Sequence, residues 1–192
     1  MRKGCGAGRA ALFRTPALTF SGDRTYVDRS DGEPLARAVR RTRFPRGIMD
    51  FTAPDGAVLL AVGRVPPGFR PYAWAPVSWP AGRRIGVIRP RGFVHCDFEL
   101  RDPRGGVLAV AERGSRGFRE SFLVRDARGG AEFAAVVEPE ESVRAMGERG
   151  ALPSARRLDV ELLSDPPPDV HALVLALPLV IRMRHGWDHW QW

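Results

Sequence analysis

Cysteine is nearly missing from this chain of 192 residues: Cys5 and Cys96 stand far apart, and neither belongs to a CxxC or a Cys/His cluster. That scarcity removes a disulfide framework and leaves zinc and thioredoxin-like chemistry without a spacing to rest on, so a reduced, cytoplasmic setting is expected. Lysine is scarcer still, since every basic residue except Lys3 is arginine, a bias that fits GC-rich coding. A long hydrophobic run is also lacking. The most apolar stretch, Val170 to Met183, falls short of the roughly 20 residues a spanning helix needs, and Arg182, Arg184 and His185 close it off. No transmembrane span is therefore expected. The first residues are basic but carry no continuous apolar stretch, so no export signal is read there.

What the chain does have is arginine and repetition. The formal charge is +8, and 44% of the residues are hydrophobic, enough for one buried core. The arginines are spread along the whole length. They favour polyanions in general without choosing between nucleic acid and anionic lipid, and nucleic acid has only this charge in its favour. Four segments repeat one pattern, an alternating strand, an Asp and Gly turn, and a second apolar strand. They are Tyr26-Val27 to Leu35-Ala36, Phe51 to Val62 around Asp55-Gly56, Phe98 to Val110 around Asp102 and Gly105-Gly106, and Phe122 to Phe133 around Asp126 and Gly129-Gly130. Asp and Gly tolerate the positive φ of tight turns and the flanking apolar residues recur with a period of two, so each unit is a predicted β-hairpin. Further strands are expected at Arg84 to Arg89, Leu158 to Leu163 and within Tyr72 to Trp79. Turns are expected at Pro66-Pro67-Gly68, Pro80-Ala81-Gly82 and Arg89-Pro90-Arg91-Gly92.

Val170 to Met183 is apolar on every face, which in a helix means enclosure on all sides. Asp169, after Pro166-Pro167-Pro168, is the expected N-cap, and Pro178 is expected to bend the helix near Ala176 to Leu179. A buried strand at its far end is the lesser reading. A helix of this kind needs a container, and the hairpins are what a container is made of, so the expected fold is mainly β, a closed antiparallel barrel around a C-terminal helix.

The repeated strand-Asp-x-x-Gly-strand units, clearest in Phe98 to Val110 and Phe122 to Val137, followed by the isolated apolar helix Asp169 to Arg184, resemble the LURP-one-related proteins and the phospholipid scramblases of the tubby C-terminal-like superfamily. The resemblance covers roughly residues 25–184. It implies a barrel of about 12 strands enclosing the hydrophobic C-terminal helix, with 1–24 as a flexible leader and 185–192 as a tail. It also implies a membrane-tethered or lipid-binding regulator. The family's phosphoinositide-contacting basic residues do not map onto particular positions, and no acidic loop matches the calcium site of the scramblases, so calcium is not expected.

No residue set nominates catalysis. His185, Asp188 and His189 could collect a metal, but they sit at a chain end where a second shell to fix them is hard to build. His171, alone in an apolar helix, reads as a hydrogen-bonded core or rim residue. Gly4 to Gly8 lacks the GK[ST] ending of a phosphate loop, and Arg113 to Gly117 is not the GxSxG of a hydrolase elbow. The expectation is a non-enzyme without cofactor. The candidate binding residues for lipid or another anion are Trp79, Arg83, Arg84, Arg89 and Arg91, because amphipathic rings beside arginine suit a membrane interface. The first functional reading is a cytoplasmic module docking peripherally on anionic lipid. The second is a structural or regulatory domain that recognises a protein partner and never touches lipid.

Overall fold

The computed structural model describes residues 11–42, 47–63, 74–91, 97–114, 120–142 and 157–184. Among these, twelve strands succeed one another: β1 (Ala17–Phe20), β2 (Thr25–Asp28), β3 (Pro34–Thr42), β4 (Ile48–Thr52), β5 (Val58–Gly63), β6 (Ala75–Ser78), β7 (Arg84–Arg91), β8 (Asp97–Arg101), β9 (Val107–Arg113), β10 (Ser121–Asp126), β11 (Glu132–Val137) and β12 (Leu158–Leu162). Each pairs antiparallel with its sequence neighbours, and β1 pairs with β12 from Ala17↔Glu161 to Phe20↔Leu158. The sheet thus closes on itself as an up-and-down barrel, leaving no exposed rim of unpaired backbone groups. All four sequence-predicted hairpins are present.

The turns repeat one device. In the β8–β9 turn the Asp102 amide donates to the Gly106 carbonyl at 2.8 Å and the Gly105 amide to the Asp102 carbonyl at 3.0 Å, with Gly105 at φ 91°. The register slips beside it, between Leu100 and Arg101, so this is a tight turn closed by a glycine bulge. The same pattern joins β4 to β5 through Gly56 and β6 to β7 through Gly82, at φ 82° and 81°. The sequence assigned positive φ to Asp and Gly alike; the structure divides the work. Glycine takes the left-handed conformation, whereas the Asp side chains accept backbone amides, Asp102 Oδ1 from Arg104 at 2.8 Å and from Gly106 at 2.9 Å, and Asp55 from Ala57 at 3.0 Å. A Cβ at Gly56 would meet nothing within 4 Å, so Gly56→Ala tests the backbone alone. It is expected to cost about 1–2 kcal/mol, read as a lower denaturant midpoint at unchanged slope.

Because neighbours pair throughout, the turns at Gly32, Gly56, Gly82, Gly105 and Gly129 all fall at one end of the barrel. The β1–β2 turn, Ser21 to Arg24, lies at the other, and there Arg24 rather than a glycine takes positive φ, at 68°.

The container is filled by α1 (Pro168–Arg184), in which Val170 to Ile181 are buried. It packs most closely on β6 and β7. Two clusters line the wall around it: Phe20, Tyr26 and Phe51, with centroids 4.9 to 6.1 Å apart, and Phe98 with Phe122 at 5.5 Å. The helix runs unbroken through Pro178, which excludes the strand alternative for its far end. Pro178 has no N–H for the Val174 carbonyl. On the next carbonyl, that of Leu175, the buried Tyr26 hydroxyl donates at 2.6 Å, and burial pushes the Tyr26 hydroxyl well above its ordinary pKa.

Four expectations change. The barrel begins with β1 at Ala17, inside the segment assigned to a flexible leader, because Leu12, Leu18 and Phe20 are fully buried and β1 is the strand that closes the sheet. Arg89-Pro90-Arg91 is the end of β7 rather than a turn; the described pairing with β6 stops at Ile88, so a residue without an N–H is tolerated at Pro90 on that side. The helix starts two residues earlier than expected, with Pro168 in the first position, where its missing N–H costs nothing, and the Pro167 carbonyl accepting from His171 at 2.9 Å. Asp169 is therefore inside the first turn and not its cap. Arg182, read as closing off the apolar segment, is itself fully buried. The Tyr72 portion of the aromatic stretch, the turn at Pro66 to Gly68, Cys5, Cys96 and residues 185–192 lie outside the described residues.

Candidate functional site

The sequence-predicted binding residues separate into two groups. Trp79, Arg83 and Arg84 belong to the glycine-turn end, whereas Arg89 and Arg91 lie toward the far end of β7, a strand of 8 residues, or roughly 23 Å end to end at about 3.3 Å per residue. The five do not form one patch.

At the glycine-turn end the chemistry is inward. Trp79 is only 5% exposed, and its indole Nε1 donates to Asp169 Oδ1 at 3.2 Å. Arg83 donates to the same oxygen at 3.2 Å and stacks over the Trp79 ring with its guanidinium carbon 5.7 Å from the centroid. A carboxylate in the first turn of α1 also meets the positive end of the helix dipole. Trp79, read as a membrane-facing ring, is thus a bracket between the β6–β7 turn and α1. Arg84 is exposed at the start of β7. Across from Trp79 lies Phe13, 5.7 Å from the indole and 5.1 Å, edge-on, from the His171 ring. His171 is 5% exposed, as expected for a rim or core residue, but its Nε2 is buried with no hydrogen bond among the described residues. Burial pushes its pKa below the ordinary histidine value, against an opposing pull from the Asp165 carboxylate.

At the opposite end the chemistry is outward. Trp74, immediately before β6, is half exposed. The last β6–β7 pair is Ala75↔Ile88, so the next step of the register sets Trp74 opposite Arg89, with Arg91 two residues on, and both arginines are exposed. Carboxylates border this group. Arg89 pairs across the ladder with Glu99 and Arg91 with Asp97. Arg91 also lines a surface groove of about 510 Å³ with Glu112, Arg125 and Glu132, in which Arg125 bridges both glutamates at 3.0 Å. This face is a mosaic of both signs with a basic margin at Arg89 and Arg91.

The same end holds the second inward-looking charge. Arg182 donates from its two terminal nitrogens to the Ser21 carbonyl at 2.9 Å and the Gly22 carbonyl at 3.0 Å, and it lies over the Phe20 ring at 5.8 Å. Near the C-terminal end of α1 a cation is also favoured by the helix dipole. The helix is thereby tied to the barrel at its start by Asp169, at its middle by Tyr26 and at its end by Arg182.

Sequence reasoning counted Trp74 within the aromatic stretch but left it out of the binding set, and it gave Phe13 and Arg182 no role in a site. Trp74 had a signal, since it lies immediately before a strand that must bury Ala75 and Val77; Arg182 had none, because nothing near it in sequence supplies the carbonyls it binds. Among the described residues, no group of three or more His, Cys, Asp or Glu side chains is placed to hold a metal ion, and no helix is long and apolar enough to cross a membrane. No family model matches the chain, and neither a curated protein nor a solved structure does.

Proposed function

We propose that the chain is a non-catalytic binding module that docks on an anionic membrane surface through Trp74, Arg89 and Arg91, as a peripheral protein of the cytoplasm. The observation that carries this reading is a half-exposed tryptophan and two exposed arginines, Arg89 and Arg91, just beyond the last β6–β7 pair Ala75↔Ile88 on a protein of charge +8. An indole can seat in the headgroup layer, while each arginine near an anionic bilayer contributes about 1 kcal/mol. The barrel interior is filled by α1, which directs binding to the outer surface. A barrel closed around a C-terminal helix is also the architecture implied by the likeness to LURP-one-related and scramblase-type proteins of the tubby C-terminal-like superfamily. That likeness supports a lipid-facing regulator in preference to an enzyme.

Flotation with phosphatidylcholine vesicles, with and without phosphatidylserine and at two salt concentrations, tests the proposal. The parent is expected to float with the anionic vesicles at low salt and less at high salt, because exposed charges are screened. A variant carrying Trp74→Ala, Arg89→Gln and Arg91→Gln, with a thermal transition like the parent's, is expected to lose most of the binding; the two arginines alone amount to about 2 kcal/mol, or roughly 30-fold. Arg83→Gln with Arg84→Gln, at the other end, is expected to retain it. A parent that never floats at low salt removes the lipid reading and puts docking on a protein partner in its place.

A further inference from the structure

The glycine-turn end of the barrel carries a device that the docking reading does not use. Residues 11–14 form a helical turn, with the Arg14 and Thr15 amides donating to the Ala11 carbonyl at 3.0 and 3.1 Å. Leu12 of that turn is fully buried, and Phe13 inserts against the Trp79 and His171 rings at 5.7 and 5.1 Å. Pulling the turn away would uncover Trp79, His171 and the first turn of α1 together. We propose that Phe13, His171 and Trp79 form an acid-released latch, which holds the 11–14 turn over the end of the barrel while His171 is neutral and lets it go when His171 is protonated.

A neutral imidazole edge-on to Phe13 is an apolar contact. A protonated one places a charged N–H at Nε2, where the described residues supply no acceptor. From the lead-in to α1, Asp165 favours the cation and is the opposing influence. From α1 itself, the Asp169 carboxylate is engaged by Trp79 and Arg83, and the positive end of the helix dipole disfavours the cation. From the β6–β7 turn comes Arg83, and from the latch turn Arg14, which is exposed, both cationic. Burial is the larger influence and lowers the folded-state pKa below the ordinary 6.5. A lowered histidine pKa means that the docked state binds protons less readily than the open one. The stabilisation is complete above pH 6.5 and fades as pH falls through 6.5 toward the folded-state value. Undocking exposes the imidazole locally, without opening the strands.

The test is amide hydrogen exchange of the full chain at pH 7.5 and 5.5, corrected for the intrinsic chemistry. The Arg14 and Thr15 amides are expected to lose protection by up to about tenfold on acidification, the limit for one proton taken up over that interval by a group of ordinary pKa once opened. Amides of Tyr26 and Val160 in the wall are expected to stay unchanged. In His171→Leu the loss at Arg14 and Thr15 is expected to vanish. Equal protection at both pH values in the parent, a loss that persists in His171→Leu, or a loss shared by the wall amides each overturns the latch. If His171→Leu does not fold, Phe13→Ala decides: with the turn undocked, the His171 ring resonances are expected to titrate closer to pH 6.5 than in the parent, and an unmoved titration overturns the proposal.

Discussion

Leu175→Asp is expected to leave no cooperatively folding protein. Leu175 is fully buried midway along α1, and its neighbours on the helix, Val174, Ala176 and Leu177, are equally enclosed, so no rotation of the helix offers the carboxylate water. Losing the leucine costs about 2–5 kcal/mol and burying an unpaired carboxylate several more, against a total stability of about 5–15 kcal/mol for a domain. The measurement is circular dichroism on heating, with Val39→Thr on the outer face of β3 as the control. Val39 is 48% exposed, and its variant is expected to stay within about 0.5 kcal/mol of the parent. A sharp thermal transition in soluble Leu175→Asp would mean that α1 is not held inside the barrel.

Gly86→Ala is the second large effect, and it probes how the helix fits. A Cβ at Gly86 would lie 2.1 Å from the Arg101 carbonyl oxygen on β8 and 3.2 Å from Leu173 Cδ1 on α1. The first contact is with backbone, so relief requires β7 and β8 to separate beside the Val87↔Arg101 pair, on the wall against which the helix packs. The expected loss is at least about 3 kcal/mol, at the upper end for overpacking by a single methyl, with lower soluble yield. Gly63→Ala supplies the comparison. There the Cβ would meet Pro76 Cγ at 2.9 Å, a ring on the short strand β6 that can shift, so a smaller loss is expected. If denaturant midpoints rank the two variants the other way, close backbone approach at Gly86 is not what sets the helix against β7.

The difference between what was legible and what was not follows from range. The hairpins around Asp55-Gly56 and Asp102 to Gly106 were readable because a turn is decided by a few consecutive residues, and Gly105 at φ 91° with Asp102 accepting two amides is such a local solution. The enclosure of α1 was readable because an all-round apolar surface has few destinations in water. The surroundings of the residues proposed for docking were legible only in part. Arg89 and Arg91 stand exposed, yet the exposed tryptophan at their end of the barrel is Trp74, whereas Trp79 is buried. Which tryptophan faces out depends on the β6–β7 register and on Asp169, 90 residues beyond Trp79 along the chain.

Alternation and turn chemistry, acting over fewer than a dozen residues at a time, determined by themselves that this chain makes antiparallel hairpins, and the all-round apolarity of Val170 to Met183 determined that it buries a C-terminal helix. Only closure decided the rest. The pairing of Ala17–Phe20 with Leu158–Leu162 turns a segment readable as a leader into the strand that removes the last free edge. The carbonyls of Ser21 and Gly22 allow Arg182 to be buried, although its sequence position marks it as a boundary. Both depend on groups that are about 140 residues or more apart in the chain and meet only in the folded barrel, and that separation is why no local pattern announced them.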